Sequence, residues 1–322
     1  MTRIRLLATG GTIASRSGSD GRTASVPAAE LLVSVGPLPP GVSVEAVDVA
    51  STLSFAMRSP DLQALGAQVA AALDDGCDGV VVTHGTDSME ETAFYLDRCH
   101  RDERPVVLTG AQRPYDDPAP DGPLNLAAAL SAAAAPTARG CGVLVCFDGV
   151  AWPARGVQKV DTLASAAFGA PGRGPVLHVS GGSVRRLAVP ERPASPALDP
   201  GLPLPRVDVV VMYQGADAAL LHAAVAAGAA GLVVAAFGAG NCPPAVTDAV
   251  GGLVASGVPV LICSRVGSGP VEALYGGGGG AQLRQAGALF GGDLSPWQAR
   301  LLLSAALAVG GPPAETLHEW LT

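Results

Sequence analysis

Short apolar runs separated by alanine-rich stretches recur along this chain, and that alternation restricts it to one broad class of fold. Ile4–Ala8, Val44–Val49, Gly79–Thr83, Val106–Thr109 and Gly142–Phe147 read as strands, bounded by turn-forming or charged residues. Between them, Pro60–Asp74, Ser88–His100 and Pro123–Ala135 read as helices that open on an acid or proline and close near glycine or proline. Strands alternating with helices make βαβ units, which build a mostly parallel sheet. The expected fold is α/β.

The composition changes once. From Val189 to Arg206 the chain reads VPERPASPALDPGLPLPR, and proline at that density gives an extended, semi-rigid connection. We therefore expect a larger domain over 1–188, a linker over 189–206 and a smaller α/β domain over 207–322. The second domain begins with VDVVVMY, has a helix around Asp217–Ala227, continues through GLVVAAFGAGN, a further helix and VPVLICS, and ends in helix Ser295–Ala308. The run GGGGG at 276–280 reads as a flexible loop or turn. At 322 residues the chain is long enough for two domains. Its 48% hydrophobic content with only 4% aromatics points to a core of small side chains.

Several partner classes are excluded. The formal net charge is −8 and no basic stripe is visible, so nucleic acid does not fit as a partner. No stretch is long and apolar enough to span a bilayer. The start, MTRIRLLATGG, enters the first strand directly with no secretory pattern, and together with scattered thiols this gives the expectation of a cytoplasmic protein. Cys77, Cys99, Cys141, Cys146, Cys242 and Cys263 are scattered with no CxxC pair and no histidine at zinc spacing. They read as buried reduced thiols; neither a metal nor a cofactor is called for.

Two segments carry the chemistry. IRLLATGGTIAS and GVVVTHGTDSMEETA each run from an apolar strand through glycine to a threonine, and then into a stretch that reads as helix. Ligands of open α/β sheets sit beyond the carboxyl ends of strands, so Thr12 and Thr86 should face one crevice. A threonine hydroxyl is a poor nucleophile at neutral pH and needs a base or a relay to one. Thr86, Asp87 and Lys159 offer such a relay. Burial beside hydroxyls costs a charged lysine its solvation and prepares it to accept a proton, whereas Asp87 favours the charged form and could instead take a substrate ammonium. The residues alone leave that balance open. They also leave His84 as a packed histidine that orients its turn, and TGGT as a plain glycine turn, since no GxGxxG or GxxxxGK[ST] follows the first strand.

TGGTIA at 9–14 and THGTDSMEETA at 83–93 resemble the two signature motifs of bacterial-type L-asparaginases and glutaminase-asparaginases. The resemblance runs on through VVLTGAQRP at 106–114, DGPLNL at 121–126, RGVQKVDT, FGAGN at 237–241 and LSPWQARLLL, covering nearly the whole chain. It implies hydrolysis of a side-chain amide with release of ammonia. Thr12 matches the family's nucleophile, and Thr86, Asp87 and Lys159 match its second triad. The backbone around Thr86 and Ala111 would receive the oxyanion, Asp87 the substrate α-amino group, and Ser54 with the Gly11 and Gly85 turns its α-carboxylate. The family's tetramer of intimate dimers brings an asparagine from a neighbouring copy to the site, and Asn241 fits that position.

Three departures qualify the likeness. The segment SRSGSDGRTASVPAAELL contains no aromatic residue, and Ser25 stands where the family carries a tyrosine that bonds the nucleophile. The family's serine–glutamine pair is Ser54–Phe55 here, and phenylalanine accepts nothing from an ammonium. Glu272 in GPVEALY is the nearest counterpart of a further family acid, at a different spacing. L-Asparagine is the expected substrate. Glutamine, D-asparagine or a substituted amide is the alternative within the same chemistry. A non-catalytic amino-acid binder is the alternative outside it, and a tRNA-dependent amidotransferase subunit shares the motifs.

Overall fold

The computed structural model describes residues 1–192 and 196–321 and divides into two compact units. One is Met1–Arg192 with Asp199–Gly201, and the other takes in the chain from Leu202 onward. Of the proline-rich 189–206 segment, residues 193–195 lie outside the described residues.

The first unit contains, in chain order, β1 (Thr2–Gly10), β2 (Ser15–Gly18), β3 (Gly21–Ala24), α1 (Ala28–Ser34), β4 (Val42–Thr52), α2 (Ser59–Asp74), β5 (Gly79–Thr83) and α3 (Met89–Cys99). It continues with β6 (Val106–Thr109), α4 (Gly122–Ala134), β7 (Val143–Phe147), β8 (Val150–Pro153), β9 (Gln158–Lys159), β10 (Phe168–Gly169), β11 (Leu177–Ser180) and β12 (Ser183–Arg186). Eight of the strands form one sheet in the order β12-β11-β8-β7-β6-β5-β1-β4. From β4 to β7 every pairing is parallel. From β7 to β12 every pairing is antiparallel.

This strand order positions the site. The chain leaves β1 for β4 on one side, then returns through α2 to β5 on the other. The direction of winding therefore reverses between β1 and β5, and a crevice opens beyond their carboxyl ends. Of the central strands, β5, β6 and β7 are buried along their whole length. α2 illustrates how the sequence builds the flanking layer. Pro60 occupies its first turn, and the Asp61 carboxylate accepts the Arg58 N–H at 2.7 Å. Leu62, Leu65, Val69 and Leu73, spaced three or four apart, form its buried stripe.

The second unit holds β13 (Val207–Val211), α5 (Ala219–Ala226), β14 (Gly231–Ala236), α6 (Pro244–Ala255), β15 (Val260–Ser264), α7 (Gly280–Gln285), β16 (Leu289–Phe290), α8 (Pro296–Val309) and α9 (Pro313–Leu321). Its sheet is parallel, with strands in sequential order from β13 to β16. The Ser295 hydroxyl caps α8 by accepting the Gln298 N–H at 3.3 Å.

The fold departs from the sequence reading in three places. The stretch after Thr12 is not a helix of any length: Thr12–Ala14 is a single 3-10 turn, and the chain then enters the β2–β3 hairpin. Ser25 lies as expected in a loop, the short one between that hairpin and α1, where it is exposed with its N–H bonded to the Ala14 carbonyl at 2.9 Å. The glycine run turns as expected at 277–278, but it is anchored rather than loose. Gly278, Gly279 and Gly280 are buried, Gly278 O accepts the Thr247 hydroxyl at 2.7 Å, and Gly280 begins α7. The second unit extends past α8 into α9, where Leu317 and Trp320 are buried.

All six cysteines are free; Cys99 is half-buried and the others are buried. Burial pushes the Cys99, Cys146, Cys242 and Cys263 thiols up to about 12 and raises that of Cys141. Among the described residues no helix is long and apolar enough to cross a membrane, and no group of three or more His, Cys, Asp or Glu side chains could hold a metal ion.

Candidate active site

The two glycine turns meet backbone to backbone at the switch point. Gly10 and Gly11 at the end of β1 have φ of 106° and 81°, conformations that glycine alone adopts without strain. A Cβ on Gly11 would lie 2.4 Å from the Gly85 nitrogen, and one on Gly10 would lie 2.6 Å from the Thr52 carbonyl oxygen. A Cβ on Gly85 would fall 2.5 Å from the Ser54 hydroxyl oxygen. Three segments, 10–12, 52–54 and 84–86, are thus pressed together at distances that no side chain could share. Ser15, fully buried, closes the first turn by donating its hydroxyl to the Gly11 carbonyl at 2.7 Å.

Thr12, half-buried, opens the 3-10 turn directly after this contact. On the opposing turn, the Lys159 ammonium donates to Thr86 Oγ1 at 2.8 Å and to Asp87 Oδ1 at 2.7 Å. The Lys159 side chain is mostly buried, whereas that of Asp87 is 55% exposed. The pair therefore faces open space on its carboxylate side and protein on its ammonium side. Ser54 Oγ accepts the Asp87 N–H at 3.2 Å, and the Ser54 carbonyl accepts the Ser88 hydroxyl at 2.8 Å. Beside Ser54, the Phe55 ring is 71% exposed.

A third turn follows β6. The His84 N–H donates to the Thr109 carbonyl at 2.8 Å, and a Cβ on Gly110 would lie 2.4 Å from the His84 carbonyl oxygen. Ala111 is fully buried. Asn125 Nδ2 holds the Gly110 carbonyl at 3.0 Å, while the Asp121 carboxylate accepts the N–H groups of Gln112 and Arg113, each at 2.9 Å.

The structure thus brings Thr86, Asp87 and Lys159 into direct contact, with Ser54 bonded to Asp87 and with Gly11 against Gly85. Asn241 and Glu272 belong to the second unit. There Asn241 Oδ1 accepts the Gly280 N–H at 3.3 Å, and Glu272 is exposed with its N–H on the Ala239 carbonyl at 2.8 Å. Sequence reasoning missed Gln112, whose Oε1 accepts from Thr86 Oγ1 at 3.4 Å and whose Nε2 donates to the carbonyls of Thr162 and Ala164. It also missed Asp121, Asn125 and Glu90. Asp121 opens α4 as a capping acid would, but its side chain makes no capping bond there and serves the turn after β6 instead, so the helix signal alone does not reveal its role.

Two buried titratable groups brace the second turn with opposite electrical consequences. His84 lies wholly inside. Because a carbonyl only accepts, its Nδ1 donates to the Gly85 carbonyl at 2.7 Å, leaving Nε2 to accept from the Thr92 hydroxyl at 3.0 Å. Burial lowers its pKa to about 4 from 6.5, only partly offset by the Gly85 bond. Glu90, in the first turn of α3, is buried and accepts the Lys159 N–H at 2.6 Å. Burial raises its pKa to about 7 from 4.5 against the pull of that hydrogen bond.

The unfolded chain binds the extra proton on histidine between pH 4 and 6.5, so the His84 contribution to stability grows with pH across that window. The folded chain keeps the Glu90 proton up to about pH 7, so that contribution is complete below 4.5 and is lost as pH rises toward 7. Each effect is on the order of 3 kcal/mol, and the two nearly cancel. Urea-unfolding midpoints followed from pH 4.5 to 6.5 should therefore tilt in opposite directions in two variants. His84→Gln should lose stability with rising pH relative to the parent, and Glu90→Gln should gain it. The same tilt in both variants would contradict the assignment.

The family model Asparaginase, N-terminal, matches residues 3–191, and the Glutaminase/Asparaginase C-terminal domain matches residues 206–321. A probable L-asparaginase of Deinococcus radiodurans is 39% identical over 319 residues, covering 96% of this chain and 94% of the relative. An L-asparaginase of Bacillus licheniformis is 32% identical over 309 residues, covering 95% of each. The crystal structure of a probable cytoplasmic L-asparaginase from Campylobacter jejuni matches with a TM-score of 0.92 at 30% identity and covers both chains completely.

Proposed function

The chain belongs to the asparaginase family, and on that premise we propose that it hydrolyses the side-chain amide of L-asparagine to L-aspartate and ammonia. The observation that carries this reading is the bond pair of Lys159, one ammonium held between the Thr86 hydroxyl and the Asp87 carboxylate at the switch point. A pocket that only bound an amino acid would have no use for a hydroxyl wired to a lysine.

Thr12 Oγ attacks the amide carbon, and the carbonyl electron pair moves onto oxygen. The Ala111 N–H and the backbone at Thr86 stabilise the resulting oxyanion, a contact worth about 3 kcal/mol in the transition state where such donors have been removed. The carbonyl then re-forms as the C–N bond breaks, and the departing nitrogen takes the proton that the Thr12 hydroxyl gave up and leaves as ammonia, so that Thr12 carries an aspartyl ester. Water, activated through Thr86 and Lys159, then attacks the ester and restores the Thr12 hydroxyl. Asp87 holds the lysine and offers its exposed oxygen to the substrate α-amino group. The segments at Gly11, Ser54 and Gly85 border the place for the α-carboxylate.

We assign these roles to the unit spanning 1–188. The proposal includes a cytoplasmic homo-oligomer, dimer or tetramer, in which Asn241 of a neighbouring copy completes the site. The exposed Phe55 ring, which gives the amino group no acceptor, favours a second reading in which another amide is preferred. Ammonia release measured over L-asparagine, L-glutamine, D-asparagine and N-substituted asparagines tests both. We expect the highest kcat/KM on L-asparagine. A different best substrate selects the second reading, and no turnover on any of them overturns the amidohydrolase assignment.

A further inference from the structure

Lys159 is held at both ends by three residues of one five-residue stretch, 86–90. Its ammonium bonds Thr86 and Asp87, and its main-chain N–H bonds the Glu90 carboxylate. The strand that carries Lys159 could not hold it so firmly alone. β9 has only two residues and pairs with the two residues of β10, outside the main sheet. The β9–β10 ladder packs inward through the Phe168 ring, 5.2 Å from that of Phe147 between centroids, and Gln112 Nε2 holds two carbonyls of the loop that joins its strands. The Lys159 N–H is taken by no strand; it crosses to α3 and ends on Glu90 Oε2 at 2.6 Å.

A lysine side chain turns about four bonds, so where its ammonium can reach depends on where its Cα sits. A shift of β9 by an ångström would move the ammonium out of hydrogen-bond range of one or both partners, and misplacements of that size can cost about 100-fold in rate. Glu90 removes that freedom. It stands in the first turn of the helix that follows Thr86 and Asp87, so the ammonium's acceptors and the main chain's acceptor belong to one rigid turn.

We propose that Glu90 is a positioning residue for the hydrolytic reaction, acting by fixing the main chain of Lys159 relative to Thr86 and Asp87. The role is mechanical rather than electrostatic. A protonated carboxyl still offers its carbonyl oxygen to the Lys159 N–H, so the anchor holds on both sides of the carboxyl's titration. This inference rests on the amidohydrolase reading.

Three variants separate the anchor from the charge. Glu90→Gln keeps an acceptor oxygen at full reach and loses the charge. Glu90→Asp keeps the charge and falls one methylene short. Glu90→Ala loses both. Assayed on the best amide substrate of the parent, with active sites counted by the acyl-enzyme burst, Glu90→Asp and Glu90→Ala should lose about 10-fold to 100-fold in kcat with KM nearly unchanged. Glu90→Gln should stay within about threefold of the parent. A merely structural carboxylate would lower the count of active sites and leave the turnover per site alone. Should the alanine variant fail to fold, the aspartate variant carries the test. Parental kcat in Glu90→Asp, or a loss in Glu90→Gln equal to that in Glu90→Asp, overturns the proposal. Absence of turnover in the parent itself would instead bring down the amidohydrolase reading.

Discussion

Thr12→Ala is expected to lower kcat by about 10⁴-fold or more, because without Oγ no ester can form and the water must attack the amide directly. The substitution leaves the backbone conformation of the 3-10 turn available, and Thr12 is only half-buried. Thermal unfolding should therefore move little, and substrate should still bind. The decisive measurement is a slow amide substrate followed by mass spectrometry of the protein and of its proteolytic peptides. The parent should accumulate an adduct on the peptide containing Thr12, and the variant none. An adduct found on Thr86 instead would reverse the two threonines' assignments, and near-parental turnover by Thr12→Ala would remove the double-threonine mechanism altogether.

Lys159→Met should cost about 10³-fold in kcat, within the range for losing a positioned proton-transfer group. Methionine matches the lysine stem in bulk, so the loss isolates the ammonium and its bonds to Thr86 and Asp87. Stability should change by less than about 1 kcal/mol, since Asp87 is more than half exposed and water can replace the lost partner. Ammonia-release rates at saturating substrate, paired with urea midpoints, measure both quantities. A variant that keeps more than a tenth of parental kcat would exclude Lys159 from the relay.

The parts of this protein that local sequence controls were legible before any coordinates. β5 and β6 fall on the expected residues, and α2, α3 and α4 start and stop within a residue of expectation. Each is a long apolar run or a periodic stripe bounded by proline, glycine or an acid. What escaped depends on partners far along the chain. The antiparallel extension through β8, β11 and β12 consists of four-residue strands whose half-exposed patterns carry little signal. The helix expected after Thr12 gave way to a hairpin because Ser15 turns back onto Gly11 and the Ser25 and Val26 N–H groups both close on Ala14.

The same division holds at the site. Thr86, Asp87 and Lys159 were visible as residue types, but nothing in the sequence said that 73 residues of chain would bring an ammonium to within 2.8 Å of the Thr86 hydroxyl. Glu90 and Gln112 were hidden for a related reason. Apart from the Thr86 hydroxyl on Gln112, the partners named for them are a main-chain N–H and two carbonyls, groups that no sequence pattern marks.

The six thiols have a practical consequence for anyone who wants to watch this enzyme move. Alkylating reagents consume thiolate, and burial keeps most of these cysteines both protonated and out of reach. A cysteine introduced at the exposed Ser25 position would therefore be a selectively reactive handle beside the hairpin that follows Thr12. A fluorophore or spin label could be placed there without first stripping the native thiols, and would report in real time whether the surroundings of that hairpin change during turnover.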